Sequence, residues 1–161
     1  MDVDDHTYCL GLGSNITPLE NIHKAIEILR NYVHVEKISS IWRTPSFGAQ
    51  GPDYLNAVVL VRTQYSPELL KKEILRHIEE KLGRVRSKNK YAPRTIDIDI
   101  LVFNDMIIYD QIWDQAHYAI PVAELIPKLS NPKNGETIEE AARRLSKVVT
   151  NLRRIDDQQL S

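Results

Sequence analysis

Arg84, Arg86, Lys88, Lys90 and Arg94 crowd the stretch that runs into Ile96-Asp97-Ile98-Asp99-Ile100. A run of cations is followed at once by two acids alternating with isoleucine. Successive side chains of an extended strand point to opposite faces, so Asp97 and Asp99 share one, with Cα atoms roughly 6.5–7 Å apart. Two carboxylates so placed can hold a hard divalent cation such as Mg²⁺, which takes oxygen ligands. The cations beside them suit the anionic oxygens of a polyphosphate. Acids and cations together point to metal-assisted phosphoryl transfer. A half-buried strand with a wet face, its acids paired to arginines, has the same alternation. Leu101 and Phe103 continue the acids' face, which is therefore not plainly water-facing, and a covered charge needs a partner.

The elements that must position these residues follow from local pattern. Thr7 to Leu12 is a short apolar run broken by Gly13-Ser14-Asn15, a strand ending in a loop. Thr17-Pro18-Leu19-Glu20 is a helix start, with Thr17 as cap, Pro18 in the first turn and Glu20 completing a capping box. Leu19, Ile22, Ile26 and Leu29 follow at helical spacing. Val33 to Trp42 is rich in β-branched residues and predicts a strand. Thr44 to Asp53 is a loop by its Gly and Pro content, and Tyr54 to Thr63 is another strand. Ser66 and Pro67 start a second helix, lined by Leu70, Ile74 and Ile78 and stopped at Gly83. The basic stretch and the Asp97/Asp99 strand come next. A turn at Asn104-Asp105 leads into a hairpin strand over Met106 to Tyr109. Pro121 to Ile126 predicts a helical turn, and about 136–149 a helix carrying Ile138, Ala141, Ala142, Leu145 and Val148.

The order strand, helix, strand, strand, helix, strand predicts an α+β, ferredoxin-like βαββαβ fold. Two helices would cover one face of an antiparallel sheet, leaving the other face to carry a site, with a C-terminal hairpin and helix as an extension. The 161 residues are expected to form a single domain, its core spanning about 7–128 and its C-terminal helix about 136–149.

Composition narrows the function. A net charge of −1 does not match nucleic acid or an acidic membrane surface; the basic run is local. Cys9 is the lone cysteine, which excludes an intrachain disulfide and a thiolate zinc cluster and fits a cytoplasmic location. The five histidines have no metal-ligand spacing. No apolar run approaches a membrane span. No basic segment precedes an apolar stretch at the N-terminus, so a secretory leader is not expected.

Two rival motifs fail on detail. Gly11-Leu12-Gly13 resembles the start of a dinucleotide-binding turn, but Ile16 stands where the third glycine belongs, and no Walker lysine follows. A ferredoxin-like sheet can bind RNA through aromatic platforms on its central strands. Those strands offer only Tyr8 and Phe103.

Five ordered blocks carry a resemblance. They are Gly11-Leu12-Gly13-Ser14-Asn15, Ser39-Ser40-Ile41-Trp42-Arg43-Thr44-Pro45, and Pro52-Asp53-Tyr54-Leu55-Asn56-Ala57, then Glu79 with Gly83-Arg84-Val85-Arg86, and Pro93-Arg94-Thr95-Ile96-Asp97-Ile98-Asp99-Ile100. Over roughly 8–118 the chain resembles the 6-hydroxymethyl-7,8-dihydropterin pyrophosphokinases of folate biosynthesis. The resemblance implies transfer of pyrophosphate from ATP to the pterin's hydroxymethyl oxygen, with release of AMP. It implies two Mg²⁺ ions on Asp97 and Asp99, and catalytic contacts from Arg84 and Arg94. Glu79, Arg84, Arg86, Arg94, Ile100, His117 and Tyr118 would contact ATP. Thr44, Pro45, Phe47, Tyr54, Asn56 and Tyr91 would contact the pterin. The expected partners are these small molecules, with neither nucleic acid nor membrane.

The chain departs from the family's pattern in one segment. Ala116 precedes His117 where the family has proline. Ala119-Ile120 then leads almost directly into Pro121-Val122-Ala123-Glu124-Leu125-Ile126-Pro127. Either the family's stretch that supplies an arginine for the nucleotide and a phenylalanine for the pterin is missing here, or the match at His117 is fortuitous and the gap falls earlier. Tyr118 or Trp113 is a candidate substitute for the stacking ring. An altered paralogue that binds a nucleotide or pterin without the transfer is the alternative.

Overall fold

A computed structural model describes residues 5–45, 52–84 and 95–155. The first strand, β1 (His6–Ser14), runs beyond Leu12, because Gly13 remains paired on both sides and Ser14 on one. Helix α1 (Pro18–Leu29) follows. Its capping box does not form. Thr17 is left-handed (φ 34°) and makes no side-chain cap; the Asn21 side chain instead donates to the Ile16 carbonyl at 2.7 Å and to Thr17 Oγ1 at 3.2 Å.

The long strand expected at Val33–Trp42 is two strands, β2 (His34–Ile38) and β3 (Trp42–Thr44), both paired with β4 (Tyr54–Thr63). Ser39 makes the break. Its hydroxyl accepts from the Val58 amide at 2.8 Å, so a side chain takes a place that a ladder carbonyl would fill. Helix α2 (Pro67–Leu69) is capped by Ser66 and continues through a π-helical stretch (Leu70–Leu75) into α3 (Arg76–Lys81). Gly83 ends it at φ 85°. Its amide bonds the Glu80 carbonyl and the Arg84 amide bonds that of Glu79, the paired bonds of a Schellman turn.

Strands β5 (Asp97–Phe103) and β6 (Met106–Ile107), a 3₁₀ turn (Asp110–Trp113), α4 (Ala116–Leu125), α5 (Ile138–Val148) and β7 (Arg153–Arg154) complete the chain. The helical turn expected at Pro121 is therefore the second half of a longer helix. The capping box absent at Thr17 is present at Thr137, which exchanges bonds with Glu140. The sheet is antiparallel in the order β6-β5-β1-β4-β3-β7, with β2 also on β4. Its central β5-β1-β4-β2 set is the ferredoxin-like arrangement.

Two layers of helices bury the sheet. On one face Tyr8, Leu10 and Leu12 pack with Ile22, Ile26 and Leu29 of α1 and with Ile78 of α3. The opposite face is not left free. Cys9, Val58, Leu60 and Val102 pack under Ala119 and Val122 of α4 and Ile138 and Leu145 of α5. Phe103 does not stay on the acids' face. The β1–β5 register shifts between Cys9 and Leu10, and the extra residue inverts the alternation, so Phe103 lies against Tyr8 with ring centroids 5.0 Å apart.

Candidate active site

The acids sit where the second helical layer stops. In register, Gly11 is opposite Asp99 on one side and Val58 on the other, while Gly13 is opposite Asp97 and Asn56. The pairing continues through β3, where Trp42 is opposite Asn56 and Thr44 opposite Tyr54. Strand parity therefore places Thr44, Tyr54, Asn56, Asp97 and Asp99 on one face of the sheet, with two glycines between acids and amide.

The two glycines are close-approach positions. A Cβ at residue 13 would lie 2.9 Å from Asn56 Oδ1, and one at residue 11 would lie 2.7 Å from Tyr118 Cε1. Asn56 is buried and donates to Thr44 Oγ1 at 3.1 Å, which fixes its amide plane across β3 and β4.

The Schellman turn brings Arg84 back onto the helix it terminates. Arg84 Nη1 donates to Glu79 Oε2 at 2.6 Å and to Asp97 Oδ1 at 2.9 Å. Glu79 is 5% exposed, and its Oε2 also accepts from the Ile98 amide at 2.9 Å. One carboxylate oxygen thus ties the end of α3 to the start of β5. Removing either member of such a buried pair would strand a charge. Both recorded Arg84 bonds use Nη1, leaving Nε and Nη2 without a bond to a described residue.

Asp99 lies deeper. Its Oδ2 accepts from the Tyr118 hydroxyl at 3.1 Å. Burial, with the Asp97 carboxylate beside it, pushes Asp99 up to about 6 from 3.8, while the Tyr118 hydrogen bond and the Arg84 charge pull it down. Two neighbouring carboxylates, one of them resisting ionisation, form a place where a cation relieves repulsion. Among the described residues no group of three or more His, Cys, Asp or Glu side chains could hold a metal ion. A pair of acids with the remaining ligands from water and phosphate suits Mg²⁺.

A cavity of about 360 Å³ adjoins Asp99, lined among others by Pro67, Lys71, Leu75, Ile98, Ile100 and Tyr109. Ile100 is thus a wall of a pocket beside the acids. His117, in the first turn of α4, packs its ring 4.6 Å from that of Tyr118, and burial lowers it to about 4, so the imidazole is neutral.

The structure brings together Thr44, Tyr54, Asn56, Glu79, Arg84, Asp97 and Asp99, and places Ile100, His117 and Tyr118 around the second acid. Pro45 is exposed beyond β3. Phe47, Arg86, Tyr91 and Arg94 lie outside the described residues. Neither substitute ring is an open stacking surface. Trp113 is 6% exposed inside the second core, and Tyr118, equally buried, has its hydroxyl committed to Asp99. Sequence reasoning missed Glu124 of α4, which accepts from the Ser40 amide and hydroxyl and from Trp42 Nε1, holding β3 to the second layer. Its lone charge in the apolar 118–126 run was the available signal.

Comparison with known proteins gives the family and the fold. Residues 9–127 match the family described as 7,8-dihydro-6-hydroxymethylpterin-pyrophosphokinase (HPPK). The chain is 36% identical to the 2-amino-4-hydroxy-6-hydroxymethyldihydropteridine pyrophosphokinase of Synechocystis sp., over 83% of this chain and 73% of the relative. It is 35% identical to the Haemophilus influenzae protein of the same name, over 87% of this chain and 93% of the relative. Among solved structures, wild-type Plasmodium falciparum HPPK-DHPS with pteroate superposes with a TM-score of 0.74 at 13% identity, over 94% of this chain. The present chain spans 48% of that longer one, and the likeness is one of fold.

Proposed function

The chain belongs to the 7,8-dihydro-6-hydroxymethylpterin-pyrophosphokinase family, and from that premise we propose that it transfers pyrophosphate from ATP to 6-hydroxymethyl-7,8-dihydropterin in folate biosynthesis. The observation that carries this reading is the Asp97/Asp99 pair, set beside the Glu79–Arg84 ion pair, with Asp99 lining a cavity. In the transfer, the hydroxymethyl oxygen forms a bond to the β-phosphorus as the bond from that phosphorus to the α-phosphate oxygen breaks. AMP leaves and the hydroxyl proton is released.

Two Mg²⁺ ions held by Asp97 and Asp99 would neutralise the triphosphate charge that otherwise repels the attacking oxygen. The protein's own groups supply position. Glu79 holds Arg84 by backbone and side chain, so the open donors of the guanidinium have a fixed aim at phosphate oxygens. Arg94 and Arg86 would extend this cationic wall. The cavity walled by Ile100 and Tyr109 suits the flat apolar faces of the nucleotide base, and His117 would contact the nucleotide from beside Tyr118. Asn56, its plane set by Thr44, offers an amide to the pterin ring edge, flanked by Tyr54, Pro45, Phe47 and Tyr91. Such fixed groups lower the barrier by orientation and preorganised charge.

Incubation with Mg-ATP and the dihydropterin should yield AMP and the pterin pyrophosphate in equal amounts. ATP binding without AMP formation would instead identify the altered paralogue, consistent with the shortened segment after Tyr118. A cytoplasmic location suits both substrates; no helix of the described residues is long and apolar enough to cross a membrane.

A further inference from the structure

We propose that Tyr118 is a positioning residue: its hydroxyl, rather than contacting the nucleotide, holds Asp99 in the orientation in which that carboxylate takes a divalent cation. This rests on the reading of Asp97 and Asp99 as the metal-holding pair.

The ring is held on several sides. Beneath it is Gly11, directly opposite Asp99 in the sheet; a Cβ there would meet Tyr118 Cε1 at 2.7 Å, so the ring occupies space that only glycine leaves. Beside it is Tyr109, edge-on at 5.5 Å. The Tyr109 hydroxyl donates to Gln115 Oε1, and the Gln115 carbonyl accepts from the Tyr118 amide at 3.0 Å. A side chain fixed in this way delivers its hydroxyl to one place, 3.1 Å from Asp99 Oδ2.

A carboxylate has two oxygens. With Oδ2 committed, Asp99 can no longer rotate freely, and Oδ1, which has no hydrogen-bond partner among the described residues, is left as the ligand atom. Ligating carboxylates are commonly hydrogen-bonded in turn, and losing the outer partner weakens metal binding. Tyr109 adds a second consequence. It walls the cavity beside Asp99, so an occupant of that cavity is one ring away from the tyrosine that holds the carboxylate.

The test is Tyr118→Phe, which deletes the hydroxyl and keeps the ring on Gly11. Mn²⁺ is titrated by electron paramagnetic resonance in the presence of a non-hydrolysable ATP analogue. Affinity should fall roughly 10- to 100-fold, and kcat with it. The melting temperature, the pterin KM and metal-free analogue binding should match wild type. Asp99→Asn is measured alongside. Loss of Mn²⁺ binding in Asp99→Asn but not in Tyr118→Phe overturns the role of Tyr118 alone. Retention of Mn²⁺ binding in Asp99→Asn overturns the metal reading and this inference with it. Weaker metal-free nucleotide binding in Tyr118→Phe would make the hydroxyl a nucleotide contact and also overturn it.

Discussion

The two faces of β1 and β5 obey different rules. On one, Leu10, Leu12, Ile96 and Ile98 are nearly inaccessible and pack under the helices that complete the ferredoxin-like core. On the other, the alternate positions are Gly11, Gly13, Asp97 and Asp99. The first face maximises apolar burial. The second gives it up for close approach and charge, and the burial of Asp99 beside Asp97 opposes the ionised form. Period-two geometry allows both in one pair of strands, because neighbours along the chain never compete for the same side. Stability and chemistry should therefore be separable by single substitutions two residues or fewer apart.

The sharpest separation is at the acids. Asp99→Ala should lower turnover by orders of magnitude while leaving the melting temperature of the metal-free protein unchanged or raised. Asp97→Ala should do the same to turnover, and it leaves Arg84 held by Glu79 without its second carboxylate partner. Steady-state rates and calorimetric melting would check both; near-normal turnover in either would refute the metal assignment. On the opposite face, Leu12→Ala should cost about 2–5 kcal/mol in denaturant unfolding, with kcat per folded molecule little changed. A large kcat effect there would mean that the faces are not independent.

Proton linkage distinguishes the faces too. The folded-state value of Asp99 is raised, so the folded protein binds the proton more tightly than the unfolded chain. Its favourable contribution is complete below the ordinary value of 3.8 and is lost as pH rises through about 6. Metal-free protein should lose roughly 2–3 kcal/mol of stability across that window from this group. Denaturant midpoints measured against pH should show the slope, and Asp99→Asn should flatten it. The smallest effect is expected at Gly13→Ala. The new methyl group must displace the Asn56 amide, which should raise the pterin KM by about tenfold and leave ATP binding alone.

Most of the fold was legible because its signals are local. The strand run over 54–63, the Ser66-Pro67 start and the Gly83 stop each depend on a few adjacent residues, and each predicted element lies where the pattern placed it. The misses came from side chains acting across the chain. Ser39 broke a strand by bonding to Val58, Asn21 supplanted the Thr17 capping box, and a bulge turned Phe103 to the other face. At the candidate site the Asp97–Asp99 pair was readable from spacing alone. The bond from Tyr118 to Asp99 was not, since it depends on how α4 docks over Gly11.

Cys9 lies on the second face, beyond the acids, 1% exposed beneath α4 and α5, and burial pushes its thiol up to about 12. As the sole sulfhydryl, it is shielded from alkylating reagents while those helices stay docked. Its modification rate is therefore a built-in gauge of how often that layer lifts. Slower labelling with substrates bound would reveal communication between the Asp97–Asp99 end of the sheet and its far end, without any engineered probe.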